Sequence, residues 1–249
     1  VMTTFVFSVY LTSDGMFTDK ATANQYLSWG MTAAGIIIAL LAPITGQRAD
    51  RSGSGLKLLG WFSLGVFVCL AGTFFVAPDS SLGPIGALWL GIGLIGVTTI
   101  FFEFGSVNYN AMLNDVSTEK NRGLVSGLGW ASGYVGGIVL LVILLVGFIM
   151  PDKGWLGVTS ANGLNVRVAM LFAAAWWGIF ALPVLLNPPK RNHLHHREGR
   201  ETLVDSYKLL WRTIKSLWKD ARHTLRFLIA SAIFRDGLAG VFTFGGVIA

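Results

Sequence analysis

Glu103, Arg235 and Asp236 stand inside apolar stretches of this 249-residue chain, and their chemistry is that of charge held out of water. A carboxylate or guanidinium at mid-depth in hydrocarbon costs about 2.5–3.5 kcal/mol on insertion scales, so such groups mark solute pathways, ion sites or proton relays. Arg235 lies eight residues past Phe227, where the last apolar run begins. At 1.5 Å per residue that is about 12 Å in, near the midplane of a ~30 Å core. Adjacent helical residues point about 100° apart, so Arg235 and Asp236 need different partners or water. Glu103 is followed by Asn108, Tyr109 and Asn110. If its helix continues to Leu113, this group lines the inner half of a cavity. If the helix ends near Val107, Glu103 is an interface residue. Glu103, Asn108, Tyr109, Asn110, Arg235 and Asp236 are therefore the candidate cavity residues, for a substrate or for a proton.

Other chemistry finds little support. The chain has no Gly-x-x-x-x-Gly-Lys-Ser/Thr loop, no His-Glu-x-x-His helix and no Ser, His and Asp set with a shared surface, so no catalytic residue and no enzyme activity is expected. His193, His195 and His196 have no carboxylate or Cys at ligand spacing and read as a solvated loop, with neither metal nor cofactor expected. The sole cysteine, Cys69, lies in an apolar run, where it packs as a small buried residue and forms no intrachain disulfide. Asp115, Glu119 and Arg122 form a charged turn and are expected to pair at helix ends.

The elements that must position these residues follow from composition. Hydrophobic residues make up 53% of the chain and charged ones 13%, against about 25% charged in soluble domains. Mean hydropathy is +0.61. Five runs have the ~20 apolar residues a bilayer demands: 24–45, 56–77, 85–107, 124–150 and 166–186. Two more lie at the edges: residues 1–11, short and beginning with Val1, and 227–249, where the sequence stops. The reading is a fragment that begins within a first helix and ends at or near the end of a seventh, with no signal peptide. Residues 1–187 form a six-helix bundle, 188–226 a polar basic connection, and 227–249 the seventh helix.

Orientation comes from the basic residues. All 19 Lys and Arg except Lys20, Lys153, Arg167 and Arg235 fall in alternate connections, around Arg48–Lys57, Lys120–Arg122 and Lys190–Arg226. The positive-inside rule makes that side, and the N-terminus with it, cytoplasmic. The net charge of +6 is thus topological and implies no nucleic-acid partner. Segment 45–58, TGQRADRSGSGLKL, is a charged hairpin that makes two spans antiparallel neighbours. In the long connection, Leu203, Tyr207, Leu210, Trp211, Ile214, Leu217 and Trp218 recur at helical spacing opposite Asp205, Lys208, Arg212, Lys215 and Lys219. Thr202 and Asp205 suit a capping pair at its start. Such a helix lies flat at headgroup level or packs under the bundle. Gly129, Gly133, Gly136 and Gly137 form a helical stripe of the kind that lets membrane helices approach closely.

Two stretches carry a family likeness. Gly46, Asp50, Arg51 and Gly53 resemble the Gly-x-x-x-Asp-Arg-x-Gly loop between helices two and three of the major facilitator superfamily, with departures at Arg48, Ser54 and Gly55. Residues 104–137, with Asn108-Tyr109-Asn110, Arg122-Gly123, Ser126-Gly127 and the Gly-Trp-Ala-x-Gly-Tyr-x-Gly-Gly run, are similar to its vacuole-effluxer-like branch, as is FTFGG at 242–246. That branch includes autophagy-related vacuolar amino-acid permeases and bacterial members. The glycine stripe also resembles an antiporter-type motif, with Tyr134 where proline is usual.

The resemblance implies an all-α polytopic membrane bundle, the N-terminal six-helix half of a major facilitator fold plus the start of the second half. It implies a gradient-linked carrier for a small solute, with amino acids and a coupling proton or ion as candidate partners beside the lipid bilayer. Gly46, Asp50, Arg51 and Gly53, with Asp115 and Arg122, would latch one conformation on the cytoplasmic face of a bacterial plasma membrane. A non-transporting sensor or scaffold, and a lipid-handling carrier on the same fold, remain open alternatives.

Overall fold

Lipid gives helices no hydrophobic reason to associate, so backbones must come close enough for dispersion to hold them. The computed structural model describes residues 3–52, 55–187 and 203–248, and they meet this demand with glycine. A π-helical turn, Thr3–Phe7, leads into α1, Ser8–Leu11. Asp19 then starts α2, Lys20–Ser52, by accepting the Thr22 N–H at 2.9 Å. Hydrogen bonds from the Thr22 hydroxyl and N–H hold the Asp19 carboxyl below its usual range. The remaining elements are α3, Gly55–Gly72; α4, Gly83–Ala111; α5, Leu113–Val116; α6, Arg122–Leu144; α7, Leu164–Leu186; α8, Leu203–Asp220; and α9, Arg222–Ile248. Pro84 sits in the first turn of α4, where its missing N–H costs nothing.

Among the described residues, five helices are long and apolar enough to cross a membrane: Lys20–Ala42, Gly55–Phe75, Gly83–Val116, Arg122–Ile149 and Ala161–Leu186. They coincide with the five runs read from the sequence. The chain is therefore an all-α, multi-pass integral membrane protein. Two boundaries differ from expectation. The charged hairpin at 45–58 is mostly helix, because α2 runs on to Ser52 and α3 resumes at Gly55. Gln47, Arg48, Ala49 and Arg51 are adequate helix formers, and the polar ladder continues past the apolar limit. Gly46, Asp50 and Arg51 lie on backbone whose side chains are outside the described residues, as Gly53 is entirely. His193, His195, His196 and Thr202 also fall outside them.

Packing centres on α4. A Cβ added to Gly30 of α2 would fall 2.2 Å from the Ile92 Cγ2 atom of α4, and one on Gly96 would lie 3.7 Å from the Ala34 Cβ atom. On the other side of α4, Gly65 of α3 lies against the Phe101 ring and Gly105 of α4 against Phe62 and Leu59. The α7 helix joins α3 through the Trp177 indole, which donates to the Ser63 carbonyl at 3.1 Å. At the end away from the basic connections, Tyr10 donates to the Val76 carbonyl at 2.9 Å and lies over Gly163. Gly163 has φ +67°, a left-handed conformation that suits glycine. Arg167 donates to the Phe74 carbonyl at 2.6 Å with its guanidinium 4.9 Å from that ring's centroid. Phe7, Leu11, Leu88, Ile92, Leu144 and Phe148 are fully buried within this core. Cys69 is buried and free.

The α2–α4 crossing makes a direct prediction. Ile92 is buried and β-branched, with little freedom to yield. Gly30→Ala should therefore destabilise the protein by about 1–3 kcal/mol. Gly93→Ala, with nothing within 4 Å, should be neutral or gain up to ~1 kcal/mol of helix propensity. Thermal unfolding in detergent checks both; equal midpoints for the two variants would remove the crossing as the source of stability.

Candidate functional site

The face of α4 that packs on α2 does not end at the crossing. At about 100° per residue, Thr99, Glu103, Ser106 and Asn110 stay within about 40° of the direction of Ile92. Past Ala34, the α2 residues Ile36, Ile37, Leu40 and Leu41 are exposed while Ile38 is half-buried and Ile44 buried. The continuation of the face is half-buried at Thr99, Glu103 and Ser106 and exposed at Asn110. Thr99 satisfies its hydroxyl on the Ile95 carbonyl at 2.9 Å, and the Asn110 amide donates to the Ser106 hydroxyl at 3.3 Å. The result is a polar stripe on a membrane helix, with one carboxylate in it.

Two other helices meet beside α4. The Arg235 guanidinium carbon of α9 lies 5.8 Å from the centroid of the Trp130 ring on α6, within cation–π range. Trp130 in turn lies 6.1 Å from Tyr134, one turn along α6. Tyr109 of α4 points to α6, its hydroxyl 3.8 Å from where a Cβ on Gly129 would sit. Arg235, Trp130 and Tyr134 thus link α9 to α6, and the candidate site groups them with Glu103 of α4. The exposed Trp130 and Tyr134 rings leave it open on one side.

The structure sorts the sequence candidates. The α4 helix continues to Ala111, so Glu103 lies within it and not at a terminal interface. Tyr109 and Asn110 are exposed beside the open face. Asn108 is placed differently. It is 1% exposed, shares its face with buried Phe104 and Met112, and donates to the Phe104 carbonyl at 2.7 Å. A residue i+4 from Phe104 is turned with it into the packed side of α4, so Asn108 does not line the cavity face. Its Oδ1 atom has no hydrogen-bond partner there. Asp236 is exposed and points away from Arg235. Asp115 is half-buried on α5 and Arg122 is exposed at the start of α6. The turn between them is held by Thr118, whose N–H donates to the Asn121 side chain at 2.7 Å.

Three contributors escaped the sequence reading. Ser106 and Thr99 carry no charge to flag them, although their spacing from Glu103 was visible. Trp130 looked like part of a packing motif. The glycine stripe itself meets little in this chain. A Cβ on Gly133, Gly136 or Gly137 would find nothing within 4 Å, while close helix packing is made by Gly30, Gly65, Gly96 and Gly105.

Comparison with known proteins agrees with this architecture. The family model described as vacuole effluxer Atg22 like matches residues 107–249. The chain is 27% identical over 248 residues to a protein of Bacillus subtilis (strain 168) named uncharacterized MFS-type transporter YxiO. That match covers 98% of this chain and 54% of the relative, so the chain spans about half the relative's length. No solved structure matches the chain. With a family model matching more than half its residues, and five membrane-length helices among the described residues, the chain belongs to the vacuole effluxer Atg22-like family of major facilitator-type membrane proteins.

Proposed function

We propose that this chain is part of a secondary active carrier that moves a small solute by alternating access, with its site at the Glu103–Arg235–Trp130 cluster. The observation that carries the reading is that cluster: opposite charges on different membrane helices, beside aromatic rings, on a face left open by the packed core. A zwitterionic solute such as an amino acid suits it. Its carboxylate would take the Arg235 guanidinium, which presents a planar fork of donors. Its ammonium would take the faces of Trp130 or Tyr134. Glu103 is the carboxylate proposed to carry a coupling proton.

Alternating access places such a site near the midplane, between two bodies that rock about it. Here α1–α4 and α7 form one packed body. The face of α6 at Gly133, Gly136 and Gly137, where an added Cβ meets nothing within 4 Å among the described residues, is proposed to receive the opposing body. The basic side is proposed to face the cytoplasm, as the positive-inside rule requires. Gly46, Asp50, Arg51 and Gly53 would form the latch at that side, together with Asp115 and Arg122. The family's effluxer description and the relative's transporter name support transport as the class.

Uptake or efflux of radiolabelled amino acids by proteoliposomes containing the full-length carrier tests the reading. Arg235→Ala should lower gradient-driven flux about tenfold or more, the loss of a cation–π contact and a solute charge partner together. Its unfolding midpoint should hold, because Arg235 is exposed and outside the core. Full flux in that variant would sink the assignment of the site. Glu103→Gln should abolish accumulation against a gradient while solute exchange persists; loss of both together would place Glu103 in solute binding alone.

A further inference from the structure

Helix α8 carries three distinct edges. Helical geometry at about 100° per residue puts Val204, Tyr207, Trp211, Ile214 and Trp218 within one arc of about 80°. All of them are exposed, Trp211 at 69% and Trp218 at 62%. Beside this arc on one flank stand Lys208, Arg212, Lys215 and Lys219, also exposed. On the other flank Ser206 is buried and Leu210 and Leu217 are half-buried, on the edge that meets α2 and α9. The helix is therefore docked along that edge and through Tyr207, while Trp211, Ile214, Trp218 and the basic flank face outward.

Its depth is fixed by one contact. The Tyr207 hydroxyl donates to the carbonyl of Leu40. Leu40 lies five residues before the end of the apolar run 24–45. The start of α8 is thereby held near the basic end of a span, beside the lipid headgroups. Its far end continues through Ala221 into α9. There Arg222 donates to the Trp218 carbonyl at 3.1 Å and lies 6.0 Å from that indole, adding a fifth cation to the same flank.

We propose that this outward edge of α8 is a binding surface for acidic phospholipid headgroups of the adjoining leaflet. Amphipathic rings of Trp and Tyr partition to the headgroup level, and lysines beside them meet the phosphates. A packed protein interface would set few lysines along the border of an exposed aromatic stripe. A freestanding interfacial helix charges both flanks; α8 charges only the flank that the bundle leaves open. The surface is separate from the Glu103–Arg235 cluster, and its test does not depend on transport.

The test places a fluorophore on Ile214→Cys in a Cys69→Ala background, with the full-length protein in nanodiscs. Brominated phosphatidylglycerol should quench it about twofold more than brominated phosphatidylcholine at equal mole fraction, and 0.5 M salt should shrink the difference. The combined Lys208→Gln, Lys215→Gln and Lys219→Gln variant should quench equally with both lipids. Unfolding midpoints show that each variant is folded. Quenching by neither lipid would show that protein covers the stripe. Equal quenching by both in the unsubstituted flank would show apolar contact without headgroup recognition. Either result overturns the proposal.

Discussion

The crossing of α2 and α4 is the contact on which the rest depends. Gly30 and Ala34 on one helix, with Ile92 and Gly96 on the other, bring the two backbones together without room for a larger side chain at Gly30. In lipid this closeness substitutes for the hydrophobic drive that a water-soluble bundle enjoys. Further along the same face of α4, Thr99, Glu103 and Ser106 are half-buried and Asn110 is exposed. Packing and site are thus successive parts of one helical face.

The same geometry decides which polar groups are available. On α4 the residues turned toward α3, Phe101, Gly105 and Asn108 among them, remain covered along the helix. Glu103 is turned the other way and is half-buried. The Arg235 guanidinium lies 5.8 Å from the exposed Trp130 ring.

Most of the architecture was legible because hydropathy reports membrane spans directly. Five runs of apolar residues became five helices of nearly the same limits. What hydropathy does not report is where a helix stops once it leaves the apolar layer. Hence the hairpin read at 45–58 proved to be helix as far as Ser52, and α4 passed Val107 to reach Ala111. Polar residues continue a helix as readily as they end one. In the candidate site, charge marked Glu103 and Arg235. It was a poor guide to Asn108, whose sequence neighbours suggested a cavity while its helical phase put it among Phe104 and Met112. Phase against Ile92 would have found Ser106 and Thr99. The closeness of Trp130 to Arg235 joins α6 to α9, and no spacing within a single helix contains it.

The placement of Arg235 has a mechanical consequence. Among the described side chains of α9, Leu225 alone is buried, near the junction with α8, and the rest of the helix stands largely exposed. Its hold on the bundle consists of contacts to the first helical turns, to α8, and of Arg235 to Trp130 of α6. Close-packed cores resist gradual deformation, so motion concentrates where packing is thin. The charge that completes the cluster is therefore delivered by the helix least committed to the core. The glycine-packed body of α2, α3 and α4 holds Glu103, whereas Arg235 stands on a helix with few buried contacts.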